Sequence, residues 1–287
     1  MELWVPGSRL ERVGDERLDP DRVEALWVAP GTRLLCVTAD ARLPVDAAGA
    51  LRFGPASGAY DTQRHFLVGE VDGAAVFARE AAVEPPAVLG RFAMVALDDT
   101  ARDIAATALA LVNWHRVAPH CGVCGALTTV RKGGNMRHCD ACGRDRFPRT
   151  DPAVITAILD AEGRLLLAHN AAWEAARMSL VAGFVSAGES LEACVRRETF
   201  EEVGVRLGEV RYVSSQPWPF PRSLMLGFVA RAASAEVAVD GVEIDRARFF
   251  SRAEHAAALA DGSLLTPASA SIAASLIGLW SRGELDV

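Results

Sequence analysis

The sequence predicts an α/β fold that begins with a β-rich α+β domain, continues with a four-cysteine zinc ribbon and ends with a mixed α/β domain. Three observations support this prediction. Short apolar runs separated by turn residues dominate the N-terminal third, two Cys-x-x-Cys pairs follow, and strand-like and helix-like segments alternate after them. We place the three domains at residues 1–117, 118–147 and 148–287.

Charge and hydropathy narrow the class of protein. The net charge is −7, whereas general nucleic-acid binders are usually basic because phosphate neutralisation supplies most of their affinity. No apolar run reaches the roughly 18 residues that a membrane helix needs, and the first residues do not resemble a signal peptide. We therefore expect a cytoplasmic protein with no membrane partner.

The first third contains strand signals and no catalytic constellation. Leu34–Val37 is one strand-like run, and Phe66–Val71 and Ala74–Phe77 flank an Asp-Gly dipeptide that is typical of a hairpin turn. A helix is predicted from Asp98 to a stop near Pro119. We interpret this region as a scaffold or dimerisation domain.

The middle of the chain carries a metal-binding pattern. Two Cys-x-x-Cys knuckles separated by fourteen residues can present four thiolates to one tetrahedral zinc ion. Four thiolates fill the coordination shell, so one structural zinc per chain is expected. His120 and His138 adjoin ligand cysteines and could replace one of them, but with four cysteines available we interpret both as exposed or neighbouring histidines. Cys36 and Cys194 are interpreted as ordinary buried residues. The expected zinc ligands are Cys121, Cys124, Cys139 and Cys142.

The last part alternates strands and helices. Val154–Leu159 and Leu165–Ala168 are predicted strands, with a further strand around Leu224–Ala230. A glycine-bounded loop and an acidic helix lie between Gly183 and Gly204, and a closing pair of helices includes Ile272–Trp280. This alternation predicts an α/β domain.

The acidic helix carries the strongest chemical signal. Glu198, Glu201 and Glu202 stand at i, i+3 and i+4, which places three carboxylates on one helical face. Such like charges destabilise a helix unless cations lie between them, and carboxylate oxygens suit Mg²⁺ or Mn²⁺. Arg197 can reach Glu189 and tie the preceding loop to the helix. The alternative interpretation is an acidic surface helix.

The whole string, G-x5-E-x7-R-E-x-x-E-E-x-G-hydrophobic, resembles the Nudix box from Gly183 to Val205, with Thr199 at a usually apolar site. The resemblance implies a Nudix α/β/α sandwich with a mixed sheet. It also implies metal-dependent hydrolysis of a nucleoside diphosphate linked to another group, with two or three catalytic Mg²⁺ or Mn²⁺ ions. The catalytic set that it implies is Glu198, Glu201 and Glu202 as metal ligands and Arg197 with Glu189 as a structural pair.

A proline-rich heptapeptide, Ser215–Pro221, follows the helix. We expect a stiff loop that presents Trp218 and Phe220 to a flat base, with Gln216 as donor and acceptor. The alternative is a hydrophobic loop packed on the core or on a second subunit. The heptapeptide resembles the signature of the NADH pyrophosphatase branch of the Nudix family, which also carries the ribbon and an N-terminal β-rich domain in this order.

This closer resemblance implies cleavage of NADH or NAD⁺ to nicotinamide mononucleotide and AMP, removal of NAD caps from RNA 5′ ends, and a homodimer. It implies that Glu243 is a further metal ligand and that Phe147 and Phe184 stack on the nicotinamide. From the residues alone, both phenylalanines would be core residues. Ser186 stands where many relatives have glutamate, which is a departure from the branch.

Other functions remain open at this point. The substrate is alternatively ADP-ribose or a dinucleoside polyphosphate, or the chain is a non-catalytic nucleotide sensor. A sensor has no need of the full glutamate set, which favours the enzyme. For capped RNA, we expect a local basic rim on the ribbon formed by Arg131, Lys132 and Arg137.

Overall fold

The structure, a computed structural model, describes residues 3–14, 19–267 and 269–287. These residues form two compact units. One unit holds Leu3 and Trp4 with Asp151–Pro217 and Ser223–Val287, and the other holds Val5–Thr150 with Trp218–Arg222. The ribbon residues therefore group with the N-terminal residues, while the division into three domains remains a prediction. Within the described ranges, no helix is both long and apolar enough to cross a membrane.

The unit with the N-terminal residues is built on a four-stranded sheet in the order β3-β1-β5-β4. The predicted hairpin is present, with Asp72 and Gly73 in the left-handed region at φ 53° and 76°. The ribbon adds a sheet in the order β7-β8-β9. The elements are α1 Pro20–Val28, β1 Arg33–Val37, β2 Arg42–Pro44, β3 Gly54–Pro55, β4 Phe66–Val71, β5 Ala74–Glu80, β6 Ala87–Leu89, α2 Gly90–Ala96, α3 Asp99–Val117, β7 Thr129–Arg131, β8 Met136–His138 and β9 Asp145–Arg146.

The predicted helix before the ribbon is α3, and a capping residue next to its first turn determines where it starts. The Asp98 carboxylate accepts a hydrogen bond from the Ala101 N–H and caps the first turn. Near its end the helix buries His115, whose pKa is lowered to about 4, chiefly by desolvation. The helix ends at Val117, two residues before Pro119, as the sequence predicts.

Arg137 is not part of a basic rim. Its side chain is buried, and its guanidinium donates to Thr128 Oγ1 at 2.7 Å and to the Thr128 carbonyl at 2.8 Å. A third contact joins Arg137 Nη1 to His115 Nδ1 at 2.9 Å. The expected rim is therefore wrong at this position, because the guanidinium is buried and bonded to Thr128 and His115.

The other unit contains a six-stranded mixed sheet in the order β13-β14-β10-β11-β15, with β12 paired to β10. β10 runs parallel to β14 and antiparallel to β11 and β12, so the mixed sheet is confirmed. Its elements are β10 Asp151–Leu159, β11 Leu165–Asn170, β12 Val181–Phe184, α4 Leu191–Val203, β13 Leu207–Trp218, β14 Ser223–Ala232, β15 Ile244–Phe250, α5 Arg252–Ala260 and α6 Ile272–Ser281.

Both faces of this sheet are covered by helices. Ile155 of β10 packs in a cluster with Leu276 of α6. The next residue back, Val154, packs with Val195 of α4. Successive strand residues point to opposite faces, so β10 is apolar throughout because each face has its own core. The α/β/α sandwich is confirmed.

The proline-rich segment differs from the loop that we expected. Strand β13 continues through Gln216 and Pro217 to Trp218, and only the following residues turn back into β14. β13 lies at the edge of the sheet, where a proline without an N–H removes no central ladder bond. The prolines at 219 and 221 are therefore turn residues, while Pro217 is a strand residue.

Candidate active site

The acidic helix α4 is delimited by residues in its own sequence. Ser190 Oγ accepts from the Ala193 N–H at 3.2 Å and caps the first turn. Gly204 ends the helix in the left-handed conformation at φ 69°, which glycine adopts without steric cost. These two caps fix the length of the helix, so the three glutamates fall in its last two turns.

The expected pair between Arg197 and Glu189 is present and bidentate. Arg197 Nε donates to Glu189 Oε1 and Nη2 donates to Oε2, both at 2.8 Å. Glu189 also accepts from the Ser186 N–H at 3.0 Å. The guanidinium is the main reason that the pKa of Glu189 is lowered to about 2. The loop before the helix is thus tied to the helix by a charge-assisted clasp.

Arg197 also contacts two of the three predicted metal ligands. Its Nη1 lies 2.8 Å from Glu198 Oε1 and 2.9 Å from Glu201 Oε2. The sequence predicts only the pair between Arg197 and Glu189, so the contacts of Arg197 with Glu198 and Glu201 are an additional finding. One guanidinium therefore offsets the repulsion among three carboxylates.

Glu202 occupies a different environment. Its side chain is buried and accepts no hydrogen bond from any residue in the described ranges. Burial is the first cause that raises its pKa to about 8, and the nearby charge of Glu243 is the second, followed by that of Glu198. A buried carboxylate that lacks donors and faces other carboxylates fits a divalent cation, which supplies the missing positive charge.

Glu243 is positioned by residues that the sequence analysis missed. The Asp240 carboxylate accepts from the N–H groups of Val242, Glu243 and Ile244, which forms a tight turn just before β15. Asn170, at the end of β11, donates to Glu243 Oε1 at 3.4 Å. The Asp-Gly dipeptide at 240 and 241 is an available turn signal, whereas nothing local points to Asn170.

The first glycine of the string has a packing reason. Gly183 of β12 pairs with Val154 of β10. A Cβ atom at position 183 would lie 2.0 Å from Glu198 Cδ, and two carbon atoms that are not bonded to each other never come this close. Glycine at this position therefore lets the Glu198 side chain cross the strand.

The two predicted stacking residues are exposed. Phe184 follows Gly183 at the end of β12 and is 59% exposed, and Phe147 follows β9 in the other unit and is 55% exposed. The alternative that they are core residues is therefore wrong. Exposed aromatic rings are available to stack on a planar ligand, and this role remains a prediction.

The remaining predicted substrate residues are more enclosed. Gln216 is buried, with its Nε2 donating to the Ala270 carbonyl at 2.7 Å and its Oε1 accepting from the Ile272 N–H at 2.7 Å. It joins β13 to the start of α6 and uses one N–H and one lone pair of its amide in doing so. Trp218 and Phe220 meet edge to face at 5.1 Å and are half-buried.

The four cysteines of the ribbon gather as predicted. Their Sγ atoms all lie within 4.8 Å of one another, the one such metal-ligand group among residues 3–14, 19–267 and 269–287. Two Sγ···Sγ distances are 3.7 and 3.4 Å, close to the ~3.8 Å edge of a tetrahedron with zinc–sulfur bonds of ~2.3 Å. His138 is engaged elsewhere, through Nδ1 to Asp145 Oδ1 at 2.7 Å. The donor set therefore fits a structural zinc.

Comparisons with known proteins agree with this geometry. The chain is 40% identical over 302 residues to the NAD-capped RNA hydrolase NudC of Mycobacterium bovis (strain BCG / Pasteur 1173P2), covering 96% of this chain and 95% of that protein. It is 37% identical over 202 residues to the NAD-capped RNA hydrolase NUDT12 of Macaca fascicularis, covering 66% of this chain and 44% of that protein. It is also 43% identical over 173 residues to Nudix hydrolase 19, chloroplastic, of Arabidopsis thaliana, covering 58% of this chain and 39% of that protein.

A family match locates the resemblance within the chain. The NUDIX domain matches residues 149–266, which include the carboxylate helix, the clasp between Arg197 and Glu189, and the turn that positions Glu243. The similarity to the mycobacterial protein extends beyond that domain over nearly the full length of both chains. This chain therefore belongs to the Nudix hydrolase family.

Proposed function

We propose that this Nudix hydrolase cleaves the diphosphate bridge of NADH and NAD⁺ to give nicotinamide mononucleotide and AMP, and that it removes NAD caps from RNA 5′ ends. Two relatives that match this chain carry the name NAD-capped RNA hydrolase. The observation that carries the hydrolytic part is Glu202, a buried carboxylate with no donor among the described residues and with other carboxylates beside it.

The residues that would hold two or three Mg²⁺ or Mn²⁺ ions are Glu198, Glu201, Glu202 and Glu243. Such ions, when bound, neutralise the diphosphate and lower the pKa of an attacking water. With ions bound, Glu198 and Glu201 would have to leave the Arg197 Nη1 contact, whereas the two bonds from Arg197 to Glu189 involve no proposed metal ligand. The clasp with Glu189 would then hold the loop in place.

The exposed rings of Phe147 and Phe184 support the nicotinamide part of the proposal. Each ring offers a free face to a planar heteroaromatic, and offset stacking of this kind contributes about 1 kcal/mol beyond burial. Ser186 is exposed beside Phe184 and brings no carboxylate to the site. Metal binding is therefore assigned to the helix and to Glu243 alone.

The test is a substrate panel with the Glu201→Gln variant. We expect NADH, NAD⁺ and NAD-capped RNA to give nicotinamide mononucleotide in Mg²⁺ or Mn²⁺, read by chromatography, with ADP-ribose and dinucleoside polyphosphates turned over more slowly. Glu201→Gln should lower kcat by at least ~100-fold while the circular dichroism spectrum is unchanged, because a metal ligand is lost from an exposed position.

Glu192→Gln is the matched control, since Glu192 is an exposed acid in the first turn of the same helix. Its activity should equal that of the wild type. Full activity in Glu201→Gln would remove the helix from the mechanism. Equal turnover of ADP-ribose and NADH would favour a broader nucleoside diphosphate hydrolase, and no turnover of any substrate would favour a nucleotide sensor.

We also propose that the chain forms a homodimer and acts in the cytoplasm. Val123 and Leu127 of the ribbon are 66% and 68% exposed, and apolar side chains in such positions are suited to a subunit interface. None of the six cysteines, all of which the structure describes, forms a disulfide, which agrees with a reducing compartment.

A further inference from the structure

An open groove of about 850 Å³ lies in the unit that contains the ribbon. Three of its lining residues are arginines: Arg146, Arg149 and Arg222. Phe147 also lines it, and Asp145 is the one acidic residue among the lining. The groove is thus locally basic on a chain whose net charge is −7.

The charges of the groove are arranged to face a ligand. Asp145 already accepts a hydrogen bond from His138 Nδ1 at 2.7 Å, so part of its charge is engaged. Arg146 is held in place because its Nη1 donates to the His120 carbonyl at 2.6 Å. Arg149 is exposed and forms no hydrogen bond or ion pair with any residue in the described ranges. The positive charge of Arg149 is therefore available to an anion.

The combination of arginines and an exposed aromatic ring favours a nucleotide chain over a simple anion. Single-stranded nucleic acids bind where cations follow the phosphates and aromatic rings lie beside the bases. Pockets that bind small organic ligands range from roughly 300 to 1,000 Å³, so a groove of about 850 Å³ that is open to solvent has room for a nucleotide. A single sulfate-sized anion would leave most of it empty.

We propose that this groove binds the first nucleotides of the RNA chain behind the NAD cap, with Arg149 and Arg222 contacting backbone phosphates. This inference rests on the proposed function, because the groove shares Phe147 with the predicted nicotinamide contact. Apart from Phe147, the groove would give capped RNA a binding surface that free NADH does not use. The basic surface lies here and not at Arg137, which is buried.

The experiment uses Arg149→Ala and the double variant Arg149→Ala/Arg222→Ala in the full chain. The matched control is Arg64→Ala/Arg144→Ala, which removes the same charge from exposed arginines of the same unit outside the groove. Binding of a fluorescent ten-nucleotide 5′-monophosphate RNA, which has no NAD diphosphate bridge to cleave, is measured by anisotropy without added Mg²⁺ or Mn²⁺, so that the zinc of the ribbon stays bound. Activity on NADH and on NAD-capped RNA is measured separately in Mn²⁺.

For the double variant we expect the Kd for RNA to rise about tenfold, and the slope of log Kd against log salt concentration to fall by roughly 1.4 in magnitude, which corresponds to two phosphate contacts. The kcat/KM for NAD-capped RNA should fall about tenfold as well, while that for NADH is unchanged. The control variant should match the wild type in all three measurements. Arg149→Ala, which breaks no contact within the described chain, should show about half of the change in slope.

Two results would overturn the proposal. Unchanged RNA binding would show that the groove is not the RNA surface. An equal loss of activity on NADH and on capped RNA would assign the arginines to the dinucleotide itself. If the wild-type protein hydrolyses neither substrate, the proposed function fails, and the binding measurement without added Mg²⁺ or Mn²⁺ still decides the role of the groove.

Discussion

Burial of Glu202 without an ion makes the free energy of unfolding depend on pH. Its pKa is raised from 4.5 to about 8, mainly by burial and then by the charge of Glu243. The folded state therefore holds a proton that the unfolded state releases between these two pH values. The stability that this proton contributes is complete below pH 4.5 and is lost as the pH rises through about 8.

We expect Glu202→Gln to stabilise the protein in EDTA at alkaline pH. At pH 9 the wild type must fold with a charged buried carboxylate, whereas glutamine carries no charge, so the gain is about 2 kcal/mol after allowance for solvent screening. At pH 5 the two proteins should unfold alike. Thermal unfolding followed by circular dichroism from pH 5 to 9 measures the difference.

In Mn²⁺ the order should reverse, because the wild type gains stability from the ion and the variant loses a ligand. Turnover of NADH should be abolished in the variant. The exposed Glu192→Gln serves again as the control and should follow the wild type at every pH. A constant offset between Glu202→Gln and wild type across the pH range would contradict the burial of a titrating group.

Gly183 offers a second test at the scale of one residue. The methyl group of Gly183→Ala would collide with Cδ, Oε1 and Cγ of Glu198, so the whole side chain must move. We expect the free energy of unfolding to fall by about 1–3 kcal/mol, as for other overpacked positions, and the Mn²⁺ affinity to fall about tenfold. Calorimetric titration with Mn²⁺ measures the affinity.

Gly208→Ala is the control for that experiment, since its added methyl group would meet nothing closer than the Arg231 carbonyl oxygen at 3.7 Å. It lies in β13, in the same unit, and should bind Mn²⁺ as the wild type does. Normal Mn²⁺ affinity in Gly183→Ala would mean that the position of Glu198 does not matter for ion binding.

At the scale of elements, the ribbon is three short strands with little apolar core of their own. β7 and β8 have three residues each and β9 has two, so their hairpins are too small to be stable by burial alone. Zinc bound by the four cysteines would supply the stability that these hairpins lack. The ribbon is therefore the element most dependent on its metal.

Cys139→Ser should lower the bound zinc from one ion per chain to well below one and reduce the melting temperature by several degrees, because a buried thiolate ligand is lost. Zinc released by acid is measured by atomic absorption. Cys36→Ser is the control, as this half-buried thiol lies outside the cluster. Retention of one zinc ion in Cys139→Ser would disprove the four-thiolate site.

For the molecule as a whole, the features that the sequence predicted are those written in local patterns. Helix α4 was predictable because Ser190 and Gly204 cap it, and the zinc cluster because its knuckles are two short motifs. The hydrogen bonds of Gln216 could not be predicted, since its partners lie 54 and 56 residues away in the chain. The contact between Arg137 and His115 and the hydrogen bond from Asn170 to Glu243 were not predicted either, because they also join residues that are far apart in the chain.

The number of subunits is a further property of the whole molecule. Multi-angle light scattering should give twice the chain mass of 30.6 kDa, because we propose a homodimer. Replacing the exposed Val123 and Leu127 by serine should shift the measured mass toward that of one chain if the ribbon contributes to the interface. A single-chain mass for the wild type across micromolar concentrations would rule the dimer out.

The guanidinium of Arg197 makes ion uptake an exchange rather than a filling of open space. It already supplies one unit of positive charge to Glu198 and Glu201. An incoming Na⁺ or K⁺ would replace like with like and gain nothing, whereas a doubly charged ion gains a whole unit of attraction for the same displacement. We therefore expect the arginine among the acids to favour divalent ions over the abundant alkali cations at Glu198 and Glu201.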